Sequence, residues 1–185
     1  MSPRAGLSPD RVTALALEIV DRDGPDALTL ARVAESAGVA TPSLYKHIGG
    51  LADLRDRVSV RVVAELTGRV RHSVVGVGGD AAVRALLRAY RDYLVEYPHR
   101  AGLLVNPAAS APAGELLDVV LAVLDGFGLA GSAAIHAART LRSVAHGFAV
   151  LQAGGGFGYP EDLEETFRLL ADTVVTGVRQ TYLAS

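Results

Sequence analysis

Between Thr29 and Leu51 the chain fits two helix starts and a glycine into one short stretch, TLARVAESAGVATPSLYKHIGGL, which leaves room only for two brief helices and a tight turn. Thr29 is placed to cap the first helix by accepting a backbone N–H. Leu30, Val33 and Ala34 form one apolar face, and Gly38 stands where a left-handed residue ends a helix. A second start follows at Thr41, a capping hydroxyl, with Pro42 at the first helical position, where a missing N–H costs nothing. Leu44 and Ile48, four apart, point inward, so Ser43, Tyr45, Lys46 and His47 remain for the outer faces. All four can hydrogen-bond a phosphate or a base edge, and Lys46 is the only lysine in the chain. The pattern is a helix-turn-helix.

The remaining sequence reads as further helices. Ser8-Pro9-Asp10 is a cap followed by a first-turn proline and acid, and Val12, Leu15, Ala16 and Ile19 make the stripe of a helix expected to cross the helix-turn-helix. A long helix from about Leu51 carries Leu54, Val58, Val62 and Leu66 and leads into the body of the molecule. A glycine-rich break, Val75 to Gly79, separates it from a helix stopped by Pro98, and shorter pieces follow at 99–105 and 114–127. From Ser132 to Ala153 the chain is helical and rich in small residues, Ala138 and Ala145 among them. Leu163, Phe167, Leu170, Val174 and Val178 form a seam along the last helix. The expected fold is all-α: a three-helix DNA-binding domain over 1–52, then a larger helical ligand-binding and dimerisation domain over 53–185.

Leu44-Tyr45-Lys46-His47-Ile48, followed by a glycine, Leu51 and Leu54, resembles the recognition helix of the TetR family of bacterial repressors. The likeness extends to a first helix ending at Asp23-Gly24 and a second opening at Leu28-Thr29-Leu30. His146-Gly147 is similar to the subfamily whose ligand domain bears a tryptophan-histidine-glycine signature. Three positions depart from the pattern. Gly50 and Leu51 stand where the family usually grips phosphate with a polar residue and a cation, Ile48 replaces an aromatic core residue, and Arg142 replaces an aromatic residue one turn before the histidine. The resemblance implies a homodimeric repressor that binds a double-stranded operator and is released by a small molecule.

Charge adds a condition. Net charge is −2, and residues 1–70 hold nine basic side chains against nine carboxylates. Counterion release supplies most non-specific DNA affinity, so a neutral module binds random duplex weakly and with a shallow salt slope. Two modules acting together on a palindrome, their recognition helices about 34 Å apart, restore useful affinity. This favours reading Ala138, Ala145 and the seam of Leu163, Phe167, Leu170, Val174 and Val178 as dimer surfaces rather than internal core. Absence of cysteine removes disulfides, thiolate metal sites and cysteine catalysis. No run reaches the roughly 18 apolar residues of a membrane span, and the start lacks the apolar core of a signal peptide, so a cytoplasmic protein without a membrane partner is expected.

Direct base contact is assigned to Thr41, Ser43 and Tyr45, phosphate contact to Lys46, His47 and Thr29, with Pro42 setting the start of the helix. In the C-terminal body, Arg139, Ser143 and His146 share a helical face and, if buried, need either internal partners or a polar ligand. Tyr90 and Tyr93 share a face with Tyr97 and read as core, interface or ligand contacts, and Phe157 as a cover for a pocket. Gly154 to Gly158 lacks the lysine and hydroxyl of a P-loop and precedes Glu161 and Asp162, which repel phosphate. The five histidines show no metal-ligand spacing, so no metal and no cofactor beyond an unidentified small-molecule effector is expected. Two other functions compete: a helical small-molecule-binding protein with a decayed DNA module, and an enzyme using Arg139, Ser143 and His146. The second lacks a group to orient the histidine.

Overall fold

The computed structural model describes residues 7–105 and 110–182. They form eight α-helices: α1 (Pro9–Asp23), α2 (Leu30–Ala37), α3 (Leu51–Val74), α4 (Gly79–Glu96), α5 (Ala101–Val105), α6 (Ala111–Gly126), α7 (Gly131–Ala153) and α8 (Leu163–Tyr182). Tighter 3₁₀ turns occupy Pro25–Ala27, Thr41–Lys46 and Pro98–Arg100, and there is no strand among the described residues. The all-helical reading of the sequence holds.

Helix boundaries follow from local chemistry. The Ser8 hydroxyl accepts the Arg11 N–H at 3.2 Å and that of Thr29 accepts the Arg32 N–H at 3.3 Å, so both predicted caps form. Gly38 sits at φ +68°, and the next amide, of Val39, returns to the Ala34 carbonyl at 3.0 Å, closing α2 with a left-handed cap. Thr41 behaves differently. The cap position belongs to Ala40, and the Thr41 hydroxyl makes no capping bond because the segment winds as a 3₁₀ helix, with Ser43 N–H donating to Ala40 and His47 N–H to Leu44, both at 2.8 Å.

In the N-terminal unit, α1 packs on α2 and on α3, while α2 packs on the Thr41–Lys46 turn. In the body, α3 lies against α4 and α6, α4 against α7, and α8 against both α4 and α7. Leu54, Val58, Val62 and Leu66 of α3 are all fully buried, as their spacing predicts.

The expected dimer seam is partly internal. Ala145, Phe167 and Val178 are buried within the protomer, where Phe167 meets Phe148 at 4.9 Å between ring centroids. Ala138, Leu163, Leu170 and Val174 are only half-buried. The buried stripe of α8 runs Phe167, Ala171, Val175, Val178, so Ala171 and Val175 face the core in place of Leu170 and Val174 of the seam read from sequence. Apolar exposure falls instead on Val150, Leu151 and Leu169.

Two glycine substitutions separate cap from helix interior. Gly38→Ala forces a Cβ into the left-handed region and is expected to lower stability by about 1 kcal/mol in urea unfolding. Gly68→Ala, within α3 and with open space around the new Cβ, is expected to raise it by roughly 0.5–1 kcal/mol.

Candidate nucleic-acid interface and effector cavity

Thr41–Lys46 presents its side chains at three-residue intervals, so each face carries residues three apart. Leu44 lies at the bottom, fully buried, with Thr41 and His47 half-buried on either side along the same face. Pro42 and Tyr45 make a second face and Ser43 and Lys46 a third; Tyr45 is 59% exposed, and Pro42 and Lys46 are exposed with it. None of the polar side chains of Thr41, Ser43, Tyr45, Lys46 or His47 hydrogen-bonds another group among the described residues, which leaves them available to a partner. Thr29 differs: its hydroxyl caps α2, although it can still accept or donate at the exposed surface.

The surrounding charges are largely paired. Arg32 is held by Asp23, and Arg57 donates to Asp53 at 2.9 Å. Asp53 also accepts the Gly49 N–H at 2.8 Å, placing a carboxylate over the helix start where phosphate would otherwise dock. The Arg57 side chain, with the Gly49 amide, holds the Asp53 carboxyl below the usual range. Arg55 is exposed and has no ion pair among the described residues, so it joins Lys46 as a free cation near this surface. In sequence Arg55 was one of nine matched charges; only side-chain geometry distinguishes it.

A second site lies in the body. Helices α3, α4, α6 and α7 enclose a cavity of about 290 Å³, walled by aliphatic groups such as Val63, Leu86, Leu116 and Leu141. Among the described residues only Tyr90 and Arg142 bring polar side chains to it. Tyr90 is buried, and its phenol meets His146 Nδ1 at 3.2 Å. Burial pushes the Tyr90 pKa up against the pull of Arg142; burial, then the charge of Arg142, pushes that of His146 down, so both partners of this hydrogen bond are favoured in their uncharged forms. Arg142 reaches from α7 to the carbonyls of Leu104 and Val105 at the end of α5, the latter at 2.9 Å.

Several expected ligand contacts lie elsewhere. Arg139 and Ser143 are exposed and share an open groove with His146 outside the cavity. Helical spacing put them on the face of His146, but α7 turns that face toward the surface. Phe157 packs on Phe148 at 4.8 Å, away from the cavity. Tyr93 is fully buried against α3, its hydroxyl donating to the Val62 carbonyl at 3.2 Å. Arg142 and Leu104 of the cavity wall were not identified from sequence.

Tyr93 leads to the link between the two sites. Its hydroxyl accepts Arg100 Nη1 at 2.6 Å, and the buried Arg100 guanidinium forks onto both oxygens of Asp21 in α1 at 2.7 Å and reaches Glu65 of α3 at 2.5 Å. Its carbon lies 3.8 Å from the centre of the Tyr97 ring. Burial opposes the charge on Arg100, yet the bonds to Asp21 and Tyr93 outweigh it and hold the pKa above its ordinary value. Burial likewise pushes the Tyr93 phenol up to about 12. Arg100 immediately precedes α5, whose Leu104 lines the cavity.

Residues 12–58 match a family model described as bacterial regulatory proteins, tetR family, and residues 83–174 match one described as tetracyclin repressor-like, C-terminal domain. The chain is 35% identical to the uncharacterized HTH-type transcriptional regulator YobS of Bacillus subtilis over 96% of each chain. It is 30% identical to the tetracycline repressor protein class A from transposon 1721 of Escherichia coli, over 81% of this chain and 68% of that one. A crystal structure of a TetR variant from Acinetobacter baumannii AYE in complex with minocycline matches with a TM-score of 0.75 at 20% identity, covering 95% of this chain and 98% of that one.

Tyr45→Ala and Lys46→Ala are each expected to weaken binding to a selected duplex about tenfold in fluorescence anisotropy without changing the elution volume, since neither side chain supports the core. Acid should destabilise the body through His146. Its pKa is lowered on folding, so as pH falls through about 6.5 the unfolded chain takes up the proton first and stability declines until the folded pKa is passed. Melting temperatures between about pH 7.5 and 5.5 are expected to fall less in His146→Gln than in the wild type.

Proposed function

This chain belongs to the TetR family of DNA-binding transcriptional regulators, and on that basis we propose that it represses transcription as a homodimer on a palindromic operator and lets go when a small molecule fills the cavity. The observation that carries this reading is the continuous path from the cavity to the recognition segment. Leu104 is part of the cavity wall, Arg100 stands one turn before it, and Arg100 is clamped to Asp21 on α1, the helix on which α2 packs. An occupant that displaces α5 therefore reorients α1 with the recognition segment.

Energetics require only a difference between two conformations. An effector that binds the DNA-incompetent arrangement about 100-fold more tightly shifts the equilibrium by roughly 2.7 kcal/mol, and linkage lowers DNA affinity by up to the same factor. Pairing of two protomers is supported by the exposed apolar residues Val150, Leu151 and Leu169 on α7 and α8, flanked by half-buried Leu170 and Val174. Gly147 and Gly177 present no side chain on the same two helices, with open space above each, which lets another helix approach closely. The minocycline held by the Acinetobacter relative supports reading the cavity of this chain as an effector site.

Selection from a random duplex library at near-physiological salt tests the proposal. The expected product is an inverted repeat whose half-sites lie about one helical turn apart. No enrichment from folded, dimeric protein favours the alternative of a small-molecule-binding protein with a decayed DNA module. Arg100→Met removes the charge while keeping most of the side-chain bulk, and is expected to bind the selected duplex more weakly and to lose most of its response to a cavity ligand, as measured by the ligand-induced change in duplex affinity.

A further inference from the structure

Resting on that reading of the cavity, we infer that its effector is an amphiphilic organic anion, an apolar body carrying a carboxylate, with Arg142 as the group that reads the acid. Among the described residues the cavity wall is aliphatic apart from Tyr90 and Arg142, and the Tyr90 phenol is already engaged by His146. That leaves the guanidinium as the one polar group of the wall with donors to spare. Its Nη2 is occupied by the carbonyls of Leu104 and Val105, while Nε and Nη1 have no hydrogen-bond partner among the described residues. These two donors lie on opposite edges of the guanidinium, so an acid takes one of them singly, or displaces a carbonyl to take the fork that each makes with Nη2.

The electrostatic setting agrees. Twelve arginines of the chain have a carboxylate within 4.0 Å, namely residues 11, 22, 32, 57, 61, 69, 71, 84, 91, 100, 168 and 179. Arg142 has none among the described residues, and neither has Arg139, which stands with Ser143 and His146 around the open groove that Arg142 shares with the cavity. Two guanidiniums without an ion pair thus flank the mouth of an apolar chamber, and no carboxylate of the described residues lines either space. A cation is repelled there, and a neutral ligand leaves the guanidinium charge unmatched. At about 290 Å³ the chamber is near the lower end of the size range for small-molecule sites, which suits a body of modest length. The carboxylate also competes for the donor that now holds the end of α5, so its arrival loosens the helix that carries the signal.

Matched probes test this: decanoate, decanol and decylamine, with para-butylbenzoate and its benzyl alcohol as a second pair, titrated calorimetrically into the full-length protein. The acids are expected to bind at least about tenfold more tightly than their alcohols and the amine least. Arg142→Gln should abolish that preference and Arg142→Lys should retain most of it. Where Arg142→Gln fails to fold, the wild-type ratios and Arg142→Lys carry the test. Acids binding no better than alcohols, no binding by either acid, or a preference unchanged in folded Arg142→Gln overturns the inference. Failure of the effector reading is separate: an acid that binds as described and leaves duplex affinity unchanged contradicts that reading alone, whereas an alcohol that releases the duplex and outcompetes the acid contradicts only the choice of an anion.

Discussion

The buried guanidinium of Arg100 is the constraint to which the rest of the molecule is fitted. A charge removed from water must be met by counter-charges and hydrogen bonds, or the fold loses several kcal/mol. Arg100 is 4% exposed and collects its partners from three directions: Asp21 from α1, Glu65 from α3, and Tyr93 with Tyr97 from the end of α4. Because the partners are fixed by the charge, so are the relative positions of the helices that bear them. Gly24 follows the same requirement, since at φ +85° it takes the backbone conformation that ends α1 beside His99, the neighbour of Arg100.

That arrangement makes the two sites mechanically continuous. Packed interiors transmit displacement because they have few alternative arrangements. The cavity wall, the short helix α5 and the N-terminal unit share one uninterrupted buried core, into which the Arg100 cluster is set. The weak field of the N-terminal unit completes the logic. With Asp23 on Arg32 and Asp53 on Arg57, few cations remain to hold random DNA, so binding depends on where the recognition segments stand rather than on bulk attraction. A regulator of this kind is sensitive to small changes in geometry.

Much of this was legible in the sequence where the signal is local. Caps at Ser8 and Thr29, the left-handed stop at Gly38, and the inward pair Leu44 and Ile48 depend on residues within four positions of one another, and each appears as read. Thr41 was misread because a hydroxyl before Pro42 suits either an α or a 3₁₀ start, and the local sequence does not choose between them. Helical spacing showed that Arg139, Ser143 and His146 share a face, but not that the face looks outward. Periodicity likewise gave the stripe of α8 without showing that Ala171 and Val175, rather than Leu170 and Val174, face the core of their own protomer. Arg100 and Arg142 could not be read at all. Their partners lie 79 and 38 positions away, and nothing in a lone arginine marks which distant carboxylate or carbonyl will close around it.

The central claim, that Arg100 holds the recognition module in a defined orientation on the cavity-bearing body, is open to one direct measurement. The chain has no cysteine, so spin labels can be placed at exposed Ser36 on α2 and exposed Arg88 on α4 through Ser36→Cys and Arg88→Cys without background. Dilution with unlabelled protein isolates the distance within one chain. Pulsed electron-spin measurements should give one narrow distribution in the otherwise wild-type protein and a broadened or shifted one when Arg100→Met is added. Identical narrow distributions in the two would show that α1 is held to the body without the guanidinium, and would contradict the account.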